Sequence, residues 1–165
     1  MLEPDECARI IGAAHGCTGW REATVTYGEA SRVLSAVRCA SILDEADWPP
    51  ELAPLAATIR TRTEALGAAR ARELRAGPLQ LVRYERGGFF MLHCDASDDP
   101  QEWRKLSAVL YLNDGFGGGE TRFPGRSEDV RARAGHALLF APSLAHEGAP
   151  VTKGEKYIIS FWLGR

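Results

Sequence analysis

Residue types that bind metals are concentrated at two places in the second half of the chain. His93 and Asp95 are separated by one residue, and His146 follows 51 residues after Asp95. Side chains two residues apart on a β-strand point to the same face, so His93 and Asp95 can converge on one ion while Cys94 points away as a core thiol. Two histidines and one carboxylate with open coordination positions form the facial triad of non-haem Fe(II) sites. The spacing therefore predicts a metal centre.

Two other interpretations fit the same three residues. Three protein ligands plus water is also the usual form of a catalytic zinc site. Without any metal, His93 and Asp95 would form a hydrogen bond at a strand end, and His146 would be an unrelated surface residue. The two remaining histidines, His15 and His136, have no partners at metal-binding spacing.

The last strand predicted from the sequence carries a lysine on the face that would line such a site. Lys156, Ile158, Ser160 and Trp162 alternate along it, as Val109, Tyr111 and Asn113 do on another predicted strand. Lys156 is therefore either a surface lysine, as most lysines are, or a point charge inside the site, without the bidentate fork of arginine.

Hydrophobic periodicity predicts helices at the start of the chain and strands afterwards. Apolar residues at helical spacing predict helices over 4–16 and 52–66, with an interruption at Gly67 and a short continuation over 68–75. The first half also contains predicted strands over 23–27 and 35–43, separated by a loop over 28–32. Further short strands are predicted over 79–84, 89–95, 106–113, 129–133, 137–140 and 157–163. The pattern predicts one α+β domain over residues 1–165.

Composition narrows the function classes. The chain has 165 residues, 20 Lys plus Arg and 22 Asp plus Glu, so its net charge is −2. Nucleic-acid binders usually carry a strong basic excess, so we expect no nucleic-acid partner. No apolar run approaches the roughly 20 residues that span a bilayer, and the first residues do not resemble a secretory signal. Four scattered cysteines then favour reduced thiols and a cytoplasmic location, with no membrane association. The oligomeric state stays open.

Further motifs surround the triad. Tyr111–Asp114 reads Y-L-N-D, Gly118–Pro124 reads G-G-E-T-R-F-P, and Gly154–Tyr157 reads G-E-K-Y. Val82–Tyr84 and Gly87-Gly88 precede the H-C-D motif. With these motifs the sequence resembles the prolyl 4-hydroxylase-like branch of the Fe(II)/2-oxoglutarate-dependent dioxygenases over nearly its whole length.

The resemblance implies a fold, a cofactor set and a role for each matching residue. The fold would be a double-stranded β-helix, a jelly-roll core of the cupin type flanked by N-terminal helices. Fe(II), 2-oxoglutarate and O2 would be required, and ascorbate stays open as an addition. The family roles carry over to eight positions: His93, Asp95 and His146 as iron ligands, Lys156 on the distal carboxylate of 2-oxoglutarate, Tyr84 and Tyr111 as hydroxyl contacts to it, and Thr121 and Trp162 as pocket-lining residues.

The implied reaction is hydroxylation of an unactivated C–H bond, and the substrate stays open. A prolyl or peptidyl residue fits the resemblance, and a free amino acid or a natural-product precursor fits a compact chain equally well. Substrate contacts are expected from residues 28–32 and 96–103. Two alternatives from other classes are a non-catalytic, cupin-like metal-binding module and a zinc hydrolase that uses the same triad.

Overall fold

The structure is a computed structural model that describes residues 1–27, 30–68, 73–96 and 103–165. Its first half contains two helices and five short strands. In chain order these are α1 (Pro4–His15), β1 (Arg21–Glu22), β2 (Thr24–Tyr27), β3 (Ala30–Val33), β4 (Arg38–Cys39), β5 (Ser41–Asp44) and α2 (Ala53–Ala68). Two single 3-10 turns, Glu45–Asp47 and Pro50–Leu52, lead into α2.

The described residues of the second half form ten strands. They are β6 (Arg75–Ala76), β7 (Gln80–Tyr84), β8 (Phe89–His93), β9 (Arg104–Tyr111), β10 (Gly117–Gly118), β11 (Thr121–Arg122), β12 (Ala137–Phe140), β13 (His146–Gly148), β14 (Val151–Lys153) and β15 (Lys156–Gly164). The predicted double-stranded β-helix is confirmed, because the strands form an antiparallel double sheet.

Two sheets carry the site. The major sheet has the strand order β1-β5-β7-β15-β9-β12, with β6 paired to the end of β15. The minor sheet has the order β11-β13-β8-β4. Two small antiparallel pairs, β2 with β3 and β10 with β14, complete the topology of the described residues.

The side-chain alternation of the major sheet separates two apolar clusters. Leu81 on β7 and Ile159 on β15 lie in the cluster that also contains Ile10 of α1 and Ile59 of α2, so this face packs on the helices. Their neighbours Val82 and Ile158 belong to a second cluster on the opposite face, with Tyr84 and Tyr111. The helices therefore cover one face of the sheet and leave the other for the site.

Local signals explain the first helix. Pro4 begins α1, and the Glu6 carboxylate accepts a hydrogen bond from the backbone N–H of Glu3 at 2.8 Å. This contact satisfies one of the N–H groups that a helix leaves unpaired at its start. Cys7 and Ile10 are among the buried residues of the predicted apolar face.

Some predicted elements were wrong. The interruption at Gly67 does not occur: α2 runs through it, because a residue without a side chain lets the helix pack on Leu163, whose Cδ2 would lie 3.1 Å from a Cβ at position 67. Arg75 lies in β6 instead of a continued helix, while residues 69–72 of that prediction lie outside the described residues. Strands separate the two helices, so the order is not helices first.

Three further boundaries differ from the predictions. The predicted 28–32 loop is strand β3 from Ala30 onward, and residues 28–29 lie outside the described residues. The predicted 35–43 strand is two strands, β4 and β5, preceded by a turn. The predicted 129–133 strand is reduced to one bridge between Val130 and Thr121. No helix of the described residues is long and apolar enough to cross a membrane.

Candidate metal centre and adjoining pocket

One cavity lies between the two sheets and collects most of the predicted site. Seven of the eight predicted residues line it: Tyr84, His93, Asp95, Thr121, His146, Lys156 and Trp162. The eighth, Tyr111, lies behind Thr121 and bonds to it. The faces predicted from strand alternation are confirmed for β15, since Ile158 and Ser160 line the cavity with Lys156 and Trp162.

A bulge in β8 determines how this strand presents the first histidine. His93 pairs with His146 and Phe90 pairs with Gly148, so Met91 and Leu92 together face the single residue Glu147. Such an extra residue reverses the alternation of side chains. Phe90 and His93 therefore share the inner face, where their rings stack with centroids 3.6 Å apart, and Met91 and Leu92 are exposed.

Both histidines are oriented through Nδ1. The His93 Nδ1 lies 2.7 Å from the backbone carbonyl of Met91, and the His146 Nδ1 lies 3.0 Å from that of Leu144. A carbonyl only accepts hydrogen bonds, so in the neutral form of each ring Nδ1 carries the proton and Nε2 has a free lone pair. This is the tautomer and orientation that metal-binding histidines use.

The three ligand atoms converge. The His93 Nε2 lies 3.6 Å from Asp95 Oδ1, and the His146 Nε2 lies 4.0 Å from Asp95 Oδ2. One ligand atom from each of the three residues lies within 4.8 Å of the other two. Among the described residues this is the one group of three or more His, Cys, Asp or Glu side chains with metal-binding geometry. The donor set fits a divalent transition metal.

Asp95 reaches the cluster from outside the strand. β8 ends at His93, and Asp95 lies in the following bend, where its backbone N–H donates to the Pro142 carbonyl at 2.9 Å. Burial raises the pKa of Asp95, but His93, His146 and the Ser107 hydroxyl outweigh it and hold the pKa below its ordinary value. The carboxylate is thus ionised, as a ligand must be.

Aromatic rings enclose the second histidine. His146 is buried, and the Phe140 ring meets its imidazole edge-on with centroids 4.5 Å apart. Burial and the proximity of His93 lower the pKa of His146, despite the opposing effect of Asp95. The imidazole is therefore held neutral, which is the form that binds metal.

Lys156 lies in the same cavity, and its positive charge has few partners among the described residues. Its side chain is 3% exposed, and its ammonium donates one hydrogen bond, to the Gly119 carbonyl at 2.6 Å. No carboxylate of the described residues lies within ion-pair distance of it. Burial lowers the pKa of Lys156 to about 8, with Glu120 acting in the opposite direction. A buried cation that uses one of its three donors among the described residues is suited to an anionic ligand.

Two tyrosines surround this ammonium. Nζ of Lys156 lies 5.3 Å from the ring centroid of Tyr84 and 5.7 Å from that of Tyr111. The Tyr111 hydroxyl is 2.7 Å from Oγ1 of Thr121, so it reaches the cavity through the threonine. Burial raises the pKa of Tyr111 to about 12, and the phenol stays neutral.

Trp162 lies at the other end of the β15 face from Lys156. The Arg104 guanidinium lies 4.2 Å from its ring centroid and donates to the backbone carbonyl of Asp95 at 2.6 Å. Trp162 Nε1 is buried and has no hydrogen-bond partner in the described part of the chain.

Sequence reasoning missed three residues at the site. Ser107 donates to Asp95 Oδ2 at 2.6 Å, Phe90 stacks on His93, and Arg38 lines the cavity with its guanidinium 4.6 Å from the Phe90 centroid. Strand alternation could have found Ser107, which shares its parity with Val109 and Tyr111. The sequence contains no signal for the bulge that turns Phe90 inward.

The two histidines left out of the predicted site lie apart from it, and one prediction, for Cys94, was wrong. His15 bonds the Tyr157 hydroxyl at 3.1 Å and His136 is exposed. The prediction that Cys94 is a core thiol was wrong: it is exposed, because Cys94 lies beyond the end of β8. Of the expected substrate segments, residues 28–29 and 97–102 lie outside the described residues.

The comparisons with known proteins agree on one family. The model of the 2OG-Fe(II) oxygenase superfamily matches residues 79–164. A putative prolyl 4-hydroxylase of Acanthamoeba polyphaga mimivirus is 34% identical over 107 residues, which cover 53% of this chain and 44% of that protein. A PKHD-type hydroxylase of Burkholderia cenocepacia is 30% identical over 164 residues, covering 76% and 71%. The chain spans less than half the length of the first four curated relatives that it matches.

Solved structures agree on the fold. The viral collagen prolyl hydroxylase of Paramecium Bursaria Chlorella virus-1, in its 2OG complex, superposes with a TM-score of 0.73 at 22% identity, covering 98% of this chain and 91% of that one. A Pseudomonas putida prolyl-4-hydroxylase also has a TM-score of 0.73, at 25% identity, covering 98% and 83%.

Proposed function

This chain belongs to the 2OG-Fe(II) oxygenase superfamily, and we propose that residues 1–165 form a single catalytic domain that hydroxylates a C–H bond of a peptide or small-molecule substrate. Membership implies Fe(II) as the metal and 2-oxoglutarate as the co-substrate. When bound, this pair uses O2 to convert 2-oxoglutarate to succinate and CO2 and to insert one oxygen atom into a substrate C–H bond.

In this proposal His93, Asp95 and His146 hold the metal. The support is the free Nε2 of each imidazole and the ionised carboxylate beside them. Three protein ligands leave positions open for a chelating keto acid and for O2, which a closed structural metal site would not.

The observation that carries the proposal is the ammonium of Lys156. It is buried in the same cavity as the triad, with one carbonyl partner among the described residues. A keto acid that chelates the metal through one end has a second carboxylate to neutralise, and Lys156 would bind it. Tyr84 and Thr121 would flank the co-substrate, and Tyr111 would orient the threonine hydroxyl. Trp162, at the other end, would face the substrate.

The substrate is the least specified part of the proposal. The relatives named as prolyl hydroxylases support a prolyl residue in a peptide. The residues described here carry metal and co-substrate, and they suit a free amino acid or a natural-product precursor as well. Both classes therefore enter the test.

The experiment has two stages. Anaerobic addition of Fe(II) and 2-oxoglutarate should give the weak visible charge-transfer band of a chelated keto acid. Succinate should then form in air, stimulated by one member of a panel of proline-containing peptides and free amino acids. A non-catalytic module would bind metal without forming succinate, and a zinc hydrolase would give no band with 2-oxoglutarate. Either result would refute the proposal.

A further inference from the structure

The side chain of Asp95 depends on a contact from the other sheet. Asp95 lies beyond the last residue of β8, so no strand pairing fixes it there. Its backbone is held by the Pro142 carbonyl and by Arg104. The rotation of a carboxylate about its last bond is broad, so these backbone contacts do not decide which oxygen faces the metal.

Ser107 supplies the missing constraint. Its hydroxyl lies 2.6 Å from Asp95 Oδ2. An ionised carboxylate has no proton to give, so the serine donates, and the short distance is typical of a charge-assisted O–H···O⁻ bond.

The anchor itself is rigid. Ser107 is 1% exposed and lies in β9, where its backbone is paired with Trp162 on one side and with Phe140 on the other. A ligand on a bend is thus tied to a residue in the middle of a sheet. The hydrogen bond joins the bend after β8, a strand of the minor sheet, to the major sheet, which carries Lys156.

We infer that Ser107 is a positioning residue that keeps Asp95 a monodentate ligand, with Oδ2 held by the serine and Oδ1 presented to the metal. Oδ1 lies 3.6 Å from Nε2 of His93, whereas Oδ2, which accepts the serine hydrogen bond, lies 4.0 Å from Nε2 of His146. This inference rests on the proposed function, because its consequence is the number of open positions. In a six-coordinate ion, two nitrogens and one oxygen would fill three positions, and the other three would accommodate a bidentate keto acid and O2. A bidentate Asp95 would remove one of them.

The test uses two comparisons in which the hydroxyl at position 107 is present or absent. The first compares the native protein with Ser107→Ala. The second compares Ser107→Thr with Ser107→Val, which have nearly the same shape and are both β-branched, as suits a strand. Thr63→Ala is the control for loss of a buried hydroxyl, because Thr63 is 0% exposed and bonds the Ile59 carbonyl within α2. The Thr/Val pair keeps the test decisive if Ser107→Ala does not fold.

The readouts are anaerobic Co(II) affinity, the visible Co(II) spectrum, and 2-oxoglutarate affinity of the Fe(II)-loaded protein. Loss of a partner that orients a ligand typically costs 10- to 100-fold in metal affinity. We expect that loss, a changed Co(II) spectrum and weaker 2-oxoglutarate binding in Ser107→Ala and Ser107→Val, but values near native in Ser107→Thr and Thr63→Ala.

Other results would overturn the inference. Native-like Co(II) spectra and affinities within threefold of native in Ser107→Ala or Ser107→Val would show that the hydroxyl does not position Asp95. Equal losses in Ser107→Thr and Ser107→Val would show that packing alone is responsible. Failure of the proposed function is distinguishable, because the native protein itself would then bind no Fe(II) with 2-oxoglutarate.

Discussion

The imidazole of His93 lies flat on the ring of Phe90, with planes 17° apart, although two residues separate them on one strand. Regular alternation would put them on opposite faces. The bulge at Met91 and Leu92 brings them together, and the Arg38 guanidinium also lies over the Phe90 ring. Phe90 thus orients a candidate ligand whose Nδ1 is already fixed by a backbone carbonyl.

Replacing Phe90 by leucine should weaken metal binding without abolishing it. The substitution keeps most of the apolar volume but removes the ring that holds the imidazole. An aromatic pair is worth about 0.5–1.5 kcal/mol beyond its buried area, which corresponds to roughly 2- to 12-fold in affinity. Anaerobic Mn(II) titration measures this change. Phe89→Leu is the matched control, one residue away, and an equal loss there would contradict a specific role for Phe90.

Metal should stabilise the native protein only through an intact triad. A ligand that binds the native state at a hundredfold excess over its dissociation constant adds about 2.7 kcal/mol to the free energy of unfolding. Mn(II) should therefore raise the melting temperature by several degrees, and 2-oxoglutarate should add to this rise only in the presence of the metal. His146→Ala should remove both effects. A 2-oxoglutarate shift that survives a chelator would contradict chelation.

Strand alternation correctly predicted the parts of the site that lie on regular strands. Lys156 and Trp162 line one cavity because the pairing of β15 is regular between them, and its register shifts only after Leu163. Strand alternation also predicted that His93 and Asp95 converge. They do converge, but not because both lie on one strand. Asp95 is not on the strand, and its convergence depends on Pro142 and Ser107, which are 47 and 12 positions away. Contacts of this kind arise from tertiary packing and leave no local pattern.

The same distinction explains the errors at Gly67 and Cys94. A glycine inside a helical pattern weakens the helix prediction, yet here the missing side chain is what admits Leu163. Cys94 was expected in the core by alternation from His93, and the strand ends one residue before it. The fold class was predictable because it depends on many short strands together, whereas these positions depend on single contacts.

Replacing Lys156 by alanine should weaken 2-oxoglutarate binding and spare the metal. A hydrogen bond to a charged group contributes about 1.5–3 kcal/mol, or roughly 10- to 150-fold in affinity. The apparent constant for 2-oxoglutarate should rise by that factor, while Fe(II) affinity stays near native. Pyruvate, which lacks the distal carboxylate, should lose much less.

A change within twofold would place the cation elsewhere. Arg83 and Arg122 are poorly placed for that role. Arg83 lies over the Trp20 ring and pairs with Glu85, and the exposed Arg122 pairs with Asp129 and Glu147.

The affinity for 2-oxoglutarate should fall as the pH rises through the range in which Lys156 loses its proton. Burial lowers the pKa of Lys156 to about 8 in the free protein, so the ammonium is largely present at pH 7 and largely lost at pH 9. The dicarboxylate binds the charged form, and the dissociation constant should therefore rise by about tenfold over that interval. The phenol of Tyr111 stays neutral throughout, because burial raises its pKa to about 12. Lys156→Arg is the control, since arginine keeps its charge and should give weaker but pH-independent binding. Calorimetric titration of the Mn(II)-loaded protein at pH 7, 8 and 9 measures both profiles, and a flat native profile would show that Lys156 does not set the charge of the pocket.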